Sequence, residues 1–227
     1  MPKKPSNAAS KRIFLVEDHA ILREGLSLFI GQEPGMEVCG EAGSAAAALS
    51  AIQDLRPDVV VTDISMPGMN GVEFIKNLKA LHPEIAVVVL SMHDESIYAE
   101  RALRAGALGY VMKKESTKEV IIALRKAFLG ERHVSKKVAG SLTRKMLGTQ
   151  GSVPAPSSVE DLSDRELEVY EHIGRGGDTK AIAGELGVSP KTIDTHRMHI
   201  KEKLRISSMT ELVQHAAVWV EQNTSCE

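Results

Sequence analysis

The chain has 227 residues, 43% hydrophobic and 26% charged, with a formal net charge of −2; that is the composition of a soluble globular protein, with room for one large domain or two small ones. Only 4% of residues are aromatic, so the core must be built from Ala, Val, Leu, Ile and Met, and the summed charge announces neither a nucleic-acid nor a membrane partner. Cys39 and Cys226 are too few and too far apart for a disulfide framework or a zinc site, which excludes a disulfide-rich secreted class and points to a reduced, cytoplasmic protein.

In chain order, the basic N-terminal stretch leads into only four apolar residues before Glu17-Asp18, too few for a signal-peptide core. No later run approaches the roughly 20 apolar residues of a membrane span. Five short, continuous, β-branched-rich runs then punctuate the first half: Ile13–Val16, Met36–Cys39, Val59–Val61, Ile85–Leu90 and Tyr110–Met112. Such runs belong to strands buried on both faces of a parallel sheet. Between them the pattern predicts helices over 20–32, 44–55, 71–82, 95–105 and 116–129, with Ser44 and Ser116 as N-caps and Glu119 completing a capping box with Ser116. The alternation predicts a doubly wound α/β domain with a five-stranded parallel sheet over 12–130.

Residues 131–147 read as a basic connector with room for a helix, and 148–159 (GTQGSVPAPSSV) as a flexible, uncharged linker, giving a connecting region over 131–159. The linker is long enough to let the flanking domains move independently. Over 160–225 four helices are predicted, at 163–174, 178–186, 189–205 and 208–221, with Ser163 and Ser189 as N-caps and Pro190 at the first helical position. This second domain is small and all-α.

In an open parallel sheet, ligands bind beyond the carboxyl ends of the strands. Those ends carry Glu17 and Asp18, Asp63, Ser91 and Lys113. Three carboxylates on one edge repel, and a hard divalent ion such as Mg²⁺ resolves the repulsion. The set suits phosphoryl transfer to a carboxylate: Asp63 as nucleophile, Glu17 and Asp18 on the metal, Lys113 and the Ser91 hydroxyl on phosphoryl oxygens. His19 and His93 flank the site without ligand-like spacing and are read as surface or supporting residues.

The stretches VEDH, VVVTDISMPGMNG, VVVLSMHDE and GALGYVMKK resemble the receiver domain of two-component response regulators. The resemblance implies phosphorylation at Asp63, Mg²⁺ held by Glu17, Asp18 and Asp63, phosphoryl contacts from Ser91 and Lys113, and a switch aromatic at Tyr110. It also implies a histidine kinase as phosphodonor. Tyr110 as plain packing at a strand start is the competing reading.

From Glu160 onward the chain has 8 Lys or Arg against 13 Asp or Glu, which by sum argues against nucleic acid. Position reverses this. Six of the acids fall between Glu160 and Glu171, while Lys191, Arg197, Lys201, Lys203 and Arg205 cluster in or just after the third helix. Ile193, Ile200 and Leu204 form its apolar stripe, leaving Lys191, Asp194, Thr195 and Met198 outward. Gly187-Val188 makes the turn, so 189–205 is the recognition helix of a helix-turn-helix. The segment TKAIAGELGVSPKTIDTHR resembles the LuxR-type DNA-binding domain of the NarL/FixJ subfamily. By that resemblance Lys191, Thr192, Asp194, Thr195 and Met198 lie where base edges are read, with Arg197 and Lys201 near phosphates, and the last helix pairs two DNA-binding domains.

The whole is expected to be a cytoplasmic, DNA-binding transcriptional regulator that is a homodimer when phosphorylated and binds double-stranded promoter DNA. Its only chemistry is then self-phosphorylation and autodephosphorylation. Three rivals compete: an aspartyl-phosphate phosphatase, which usually carries a second Asp where Ser65 stands; a receiver that never takes phosphate; and C-terminal helices that bind protein.

Overall fold

The computed structural model describes residues 10–93, 95–146 and 159–224. Strands β1 (Lys11–Val16), β2 (Met36–Ala42), β3 (Val59–Thr62), β4 (Ala86–Ser91) and β5 (Gly109–Met112) form one parallel sheet in the order β2-β1-β3-β4-β5. Helices α1 (Ala20–Gly31), α2 (Ala45–Leu55), α3 (Gly71–Leu81), α4 (Glu95–Ala105) and α5 (Thr117–Phe128) alternate with the strands. Successive strand side chains point to opposite faces. Ile13, Leu15, Val59, Val61, Val88 and Val111 therefore pack under α1 and α5, while Phe14, Val16, Val60, Val87 and Val89 meet α2, α3 and α4. Both faces are covered, which is why the strands read as unbroken apolar runs. The strand order reverses between β1 and β3, and the crevice at that switch point lies where Glu17 and Asp63 leave the sheet.

The caps follow the sequence reading with one exception. Ser44 Oγ accepts from the Ala47 N–H, and Ser163 and Glu166 form a reciprocal capping box. Ser116 occupies the N-cap of α5 but makes no side-chain bond there; Glu119 pairs instead with His133, at 3.3 Å. His133 belongs to a segment the sequence reading treated as connector. Its carbonyl accepts from Tyr110 N–H and its N–H donates to Leu108, so the chain bridges the exposed edge of β5 and shields an edge that otherwise invites pairing. Helix α6 (Lys136–Met146) then lies against α4 with Val138 buried. Of the 148–159 linker, residues 148–158 lie outside the described residues, and Val159 opens a 3-10 turn that runs to Asp161.

The second unit comprises α7 (Asp164–Gly174), α8 (Thr179–Glu185), α9 (Pro190–Leu204) and α10 (Met209–Thr224). Its core joins Leu167, Tyr170, Ile182, Ile193, Ile200 and Leu212. Tyr170 meets Trp219 edge-on at 5.4 Å, so this aromatic closes the α7–α10 seam. Among the described residues no helix is long and apolar enough to cross a membrane.

The two units dock, an arrangement that the sequence left open. Asp164 at the start of α7 receives Lys76 from α3 at 2.7 Å and Arg101 from α4 at 3.0 Å. Burial opposes its charge, but those two cations outweigh it and hold the Asp164 carboxyl below its usual range. Arg101 also donates to the Leu162 carbonyl at 2.8 Å. Farther along the seam, Asn70 donates to Glu168 at 3.4 Å and Tyr98 to Glu171 at 2.7 Å.

Candidate functional site

The carboxyl edge of the sheet brings Glu17, Asp63 and Lys113 together, with Asp18 beside Glu17. Asp63 follows β3 at 4% exposure and Glu17 follows β1 at 3%. The Lys113 ammonium, just beyond β5, donates to Asp63 Oδ2 at 2.8 Å and stands 2.7 Å from Glu17 Oε2. Asp63 Oδ1 accepts from the Ile64 N–H at 2.6 Å. The repulsion expected among the acids is thus partly met by the chain's own cation. Burial pushes the Glu17 carboxyl upward and the Asp63 charge adds to this, against the pull of Lys113. Burial likewise works against the Lys113 charge, but the two carboxylates outweigh it and raise its pKa. A lysine held charged between two buried carboxylates is poised to follow a new anion formed on either.

Asp18 faces Glu17 and His19, and one ligand atom from each of the three lies within 4.8 Å of the others. Asp18 Oδ1 is buried and makes no hydrogen bond, although His19 Nδ1 is 2.9 Å away. Two carboxylates side by side, Asp18 and Glu17, with only the exposed His19 imidazole between them, fit a hard cation with oxygen ligands. Asp18 and then Glu17 raise the pKa of the exposed His19 imidazole.

Ser91, the last residue of β4, and Tyr110, in β5, are both bonded to one neighbour. The Ser91 hydroxyl, fully buried, accepts from the His93 N–H at 3.2 Å. The Tyr110 ring is buried and its hydroxyl donates to the His93 carbonyl at 3.0 Å. His93, expected as a supporting residue, is therefore the hub of the β4–α4 loop. Tyr98 and Glu171, which join it, were not singled out in the sequence; they sit on α4 and α7, and no spacing relates them to the strand ends.

The second candidate surface is α9. Ser189 caps it by accepting from the Thr192 N–H at 3.1 Å, with Pro190 at the first turn. Ile193, Ile200 and Leu204 are buried as the stripe predicted. Lys191, Asp194, Thr195 and Met198 are exposed, and Thr192 and Lys201 are half-buried. Two basic residues of α9 bond back to the other helices of the unit. Arg197 turns back toward the start of α8, where it donates to the Thr179 hydroxyl and, at 3.5 Å, to the Gly177 carbonyl. Lys203 pairs with Glu166 of α7 at 2.6 Å. Lys191 and Lys203 are exposed on α9 and Lys201 is half-buried, and Arg205 just past its end is exposed as well. At the turn before α9, a Cβ on Gly187 would stand 3.5 Å from the main-chain nitrogen of Gly68, so the β3–α3 loop lies beside the turn that leads into α9.

Residues 13–125 match the response regulator receiver domain, and residues 160–216 match the luxR family of bacterial regulatory proteins. The chain is 36% identical over 211 residues to the response regulator GacA of Pseudomonas viridiflava, covering 91% of this chain and 97% of that protein. It is 34% identical over 209 residues to the oxygen regulatory protein NreC of Staphylococcus epidermidis, covering 90% and 96%. Among solved structures, it resembles RcsB from Salmonella enterica serovar Typhimurium bound to the promoter rprA with the phosphomimetic BeF3⁻. The TM-score is 0.63 at 25% identity, over 92% of this chain and 98% of that one.

Proposed function

The chain belongs to the two-component response regulators of the NarL/FixJ type, and from that premise we propose that it takes a phosphoryl group on Asp63 from a sensor histidine kinase and regulates transcription at double-stranded promoter DNA. The receiver is assigned to 12–130, the connecting region to 131–159 and the DNA-binding domain to 160–225. The observation that carries this reading is the Asp63–Lys113–Glu17 cluster at the switch point of the sheet.

In the transfer, an Asp63 carboxylate oxygen attacks phosphorus, the bond from phosphorus to the donor imidazole breaks, and its electron pair stays on the imidazole nitrogen. Lys113, already charged, moves from carboxylate to phosphoryl oxygen. Glu17, Asp18 and Asp63 would hold Mg²⁺, which supplies neutralisation of the transferred charge. The Ser91 hydroxyl turns from His93 to donate to another phosphoryl oxygen, beside the Tyr110 ring, which is already buried with its hydroxyl on the His93 carbonyl. This biases a pre-existing equilibrium between docked and released, dimerising forms. Beyond self-phosphorylation and autodephosphorylation no catalysis is assigned to the chain, and we place its action in the cytoplasm. Mg²⁺-dependent phosphoryl incorporation from acetyl phosphate tests the reading. Steady turnover of a small phosphate ester would favour the phosphatase rival instead.

For the DNA half, Lys191, Thr192, Asp194, Thr195 and Met198 are assigned to base edges and Lys201 to the phosphate backbone. Arg197, bonded to α8, supports the turn and reaches phosphate only on rotating outward. Lys201→Ala is expected to weaken binding similarly across duplex sequences and to lower the slope of log affinity against log salt by about 1. Titrations at several salt concentrations check this; an unchanged slope removes Lys201 from the phosphate contacts.

A further inference from the structure

His19 occupies the N-cap of α1, yet its side chain makes no capping bond to the helix. The main-chain N–H donates to Glu17 Oε1 at 3.2 Å, and the imidazole, 74% exposed, turns toward the two acids that precede it. Its Nδ1 stands 3.2 Å from Glu17 Oε1 and 2.9 Å from Asp18 Oδ1, the second approach without a hydrogen bond. Glu17 divides its carboxylate: Oε2 is 2.7 Å from the Lys113 ammonium, while Oε1 faces His19. One ligand atom from each of Glu17, Asp18 and His19 therefore falls within 4.8 Å of the others. A six-coordinate ion with bonds of about 2.1 Å places neighbouring ligand atoms about 3.0 Å apart. Both nitrogen-to-oxygen separations match that edge, so His19 is already spaced as the neighbour of both oxygens in one coordination shell.

The kind of donor then decides which ion gains. Imidazole nitrogen suits first-row transition ions, whereas Mg²⁺ favours oxygen and gives up its waters reluctantly. Exchanging a metal-bound water for Nδ1 is therefore worth more to a transition ion than to Mg²⁺. We propose that His19 is a third protein ligand of the metal pocket and makes that pocket select a first-row transition ion over Mg²⁺. The inference rests on the assignment of Glu17 and Asp18 to the metal made above, and adds the residue that sets which ion they hold. Because the ring lies on the solvent side, it follows an ion without disturbing the buried Glu17 and Lys113. The receiver's readiness to take a phosphoryl group then depends on which divalent ion is at hand, and not only on the presence of one.

The test is calorimetric titration of the full chain with Co²⁺ and, separately, with Mg²⁺. His19→Asn keeps a polar side chain at this exposed position and removes the imidazole. It is expected to bind Co²⁺ at least about tenfold more weakly than the parent, the lower end of the losses seen when a metal site's supporting groups are damaged. Its Mg²⁺ affinity is expected to change less than about threefold, because Mg²⁺ gains little from nitrogen. Asp18→Asn is expected to remove the same Co²⁺ event, which separates it from binding at other histidines. In the Mn²⁺-loaded parent, pulsed electron paramagnetic resonance is expected to show a directly bound imidazole nitrogen that His19→Asn lacks. An unchanged Co²⁺ affinity makes His19 an ion-pair partner of the acids only and overturns the proposal. Equal losses for both ions, or no nitrogen signal in the parent, overturn it too. If the parent chain binds neither Mg²⁺ nor Co²⁺, the metal assignment itself fails and this proposal falls with it; Mg²⁺ binding without an effect of His19 sinks this proposal alone.

Discussion

Asp63→Asn is expected to reduce phosphoryl incorporation to background at any acetyl phosphate concentration, while the folded chain keeps its basal affinity for DNA. An amide has no anionic oxygen to attack phosphorus, but it retains the size of the side chain and an oxygen that accepts from Lys113 or Ile64. The loss is therefore chemical and not structural. Removing the Asp63 charge also relieves one of the influences that raise the Glu17 carboxyl, so Glu17 is expected to titrate lower in the variant. Phosphate-affinity electrophoresis and intact mass measure the incorporation. Label retained at the parent level would move the acceptor to another carboxylate of the edge, such as the half-buried Asp18, and would end the role given to Asp63.

The second large effect is expected from one added methyl group. Gly71 opens α3, and a Cβ there would stand 2.1 Å from the Asp63 carbonyl oxygen and 2.7 Å from the Ile64 Cα. Both are main-chain atoms, so no rotamer change relieves the overlap; the β3–α3 loop must move. That movement would also strain the Gly71 N–H bond to the Ile64 carbonyl, 2.8 Å long, and the Ile64 N–H that steadies Asp63. Gly71→Ala is expected to cost about 1–3 kcal/mol of stability, the usual range for overpacking at a site without room, and to slow phosphorylation together with it. Thermal unfolding of the full chain followed by circular dichroism reads the first and acetyl phosphate labelling the second. A melting temperature equal to the parent's would show that the loop yields freely, and would remove the argument that it holds Asp63 rigidly.

The strand ends illustrate how far a local pattern reaches. Glu17, Asp63 and Lys113 are separated widely in sequence, yet each directly follows a buried apolar run, and parallel strands align their carboxyl ends on one edge. Knowing the runs was enough to gather the three residues. The same logic placed Ile193, Ile200 and Leu204 inward on α9, because a helix repeats every 3.6 residues. It does not reach the partners of Arg197 and Lys203: a long cationic side chain goes to whatever acceptor lies within reach, and Thr179 and Glu166 are supplied by other helices. Ser116 failed for a related reason: the capping-box pair is present in sequence, and His133, brought up by the edge of β5, takes the Glu119 carboxylate.

By itself the sequence determined the alternation of buried strands and helices, the edge on which the acids meet, and the helix whose face is left for a partner, since each follows from the period of apolar residues along a single stretch of chain. Only the tertiary structure decided that Lys113 already sits between Glu17 and Asp63, that His93 holds Ser91 and Tyr110, and that Glu171 of α7 grips His93 from the other unit. Those facts depend on side chains from elements far apart in the chain meeting in a low-dielectric seam, where each charge must find its partner in three dimensions.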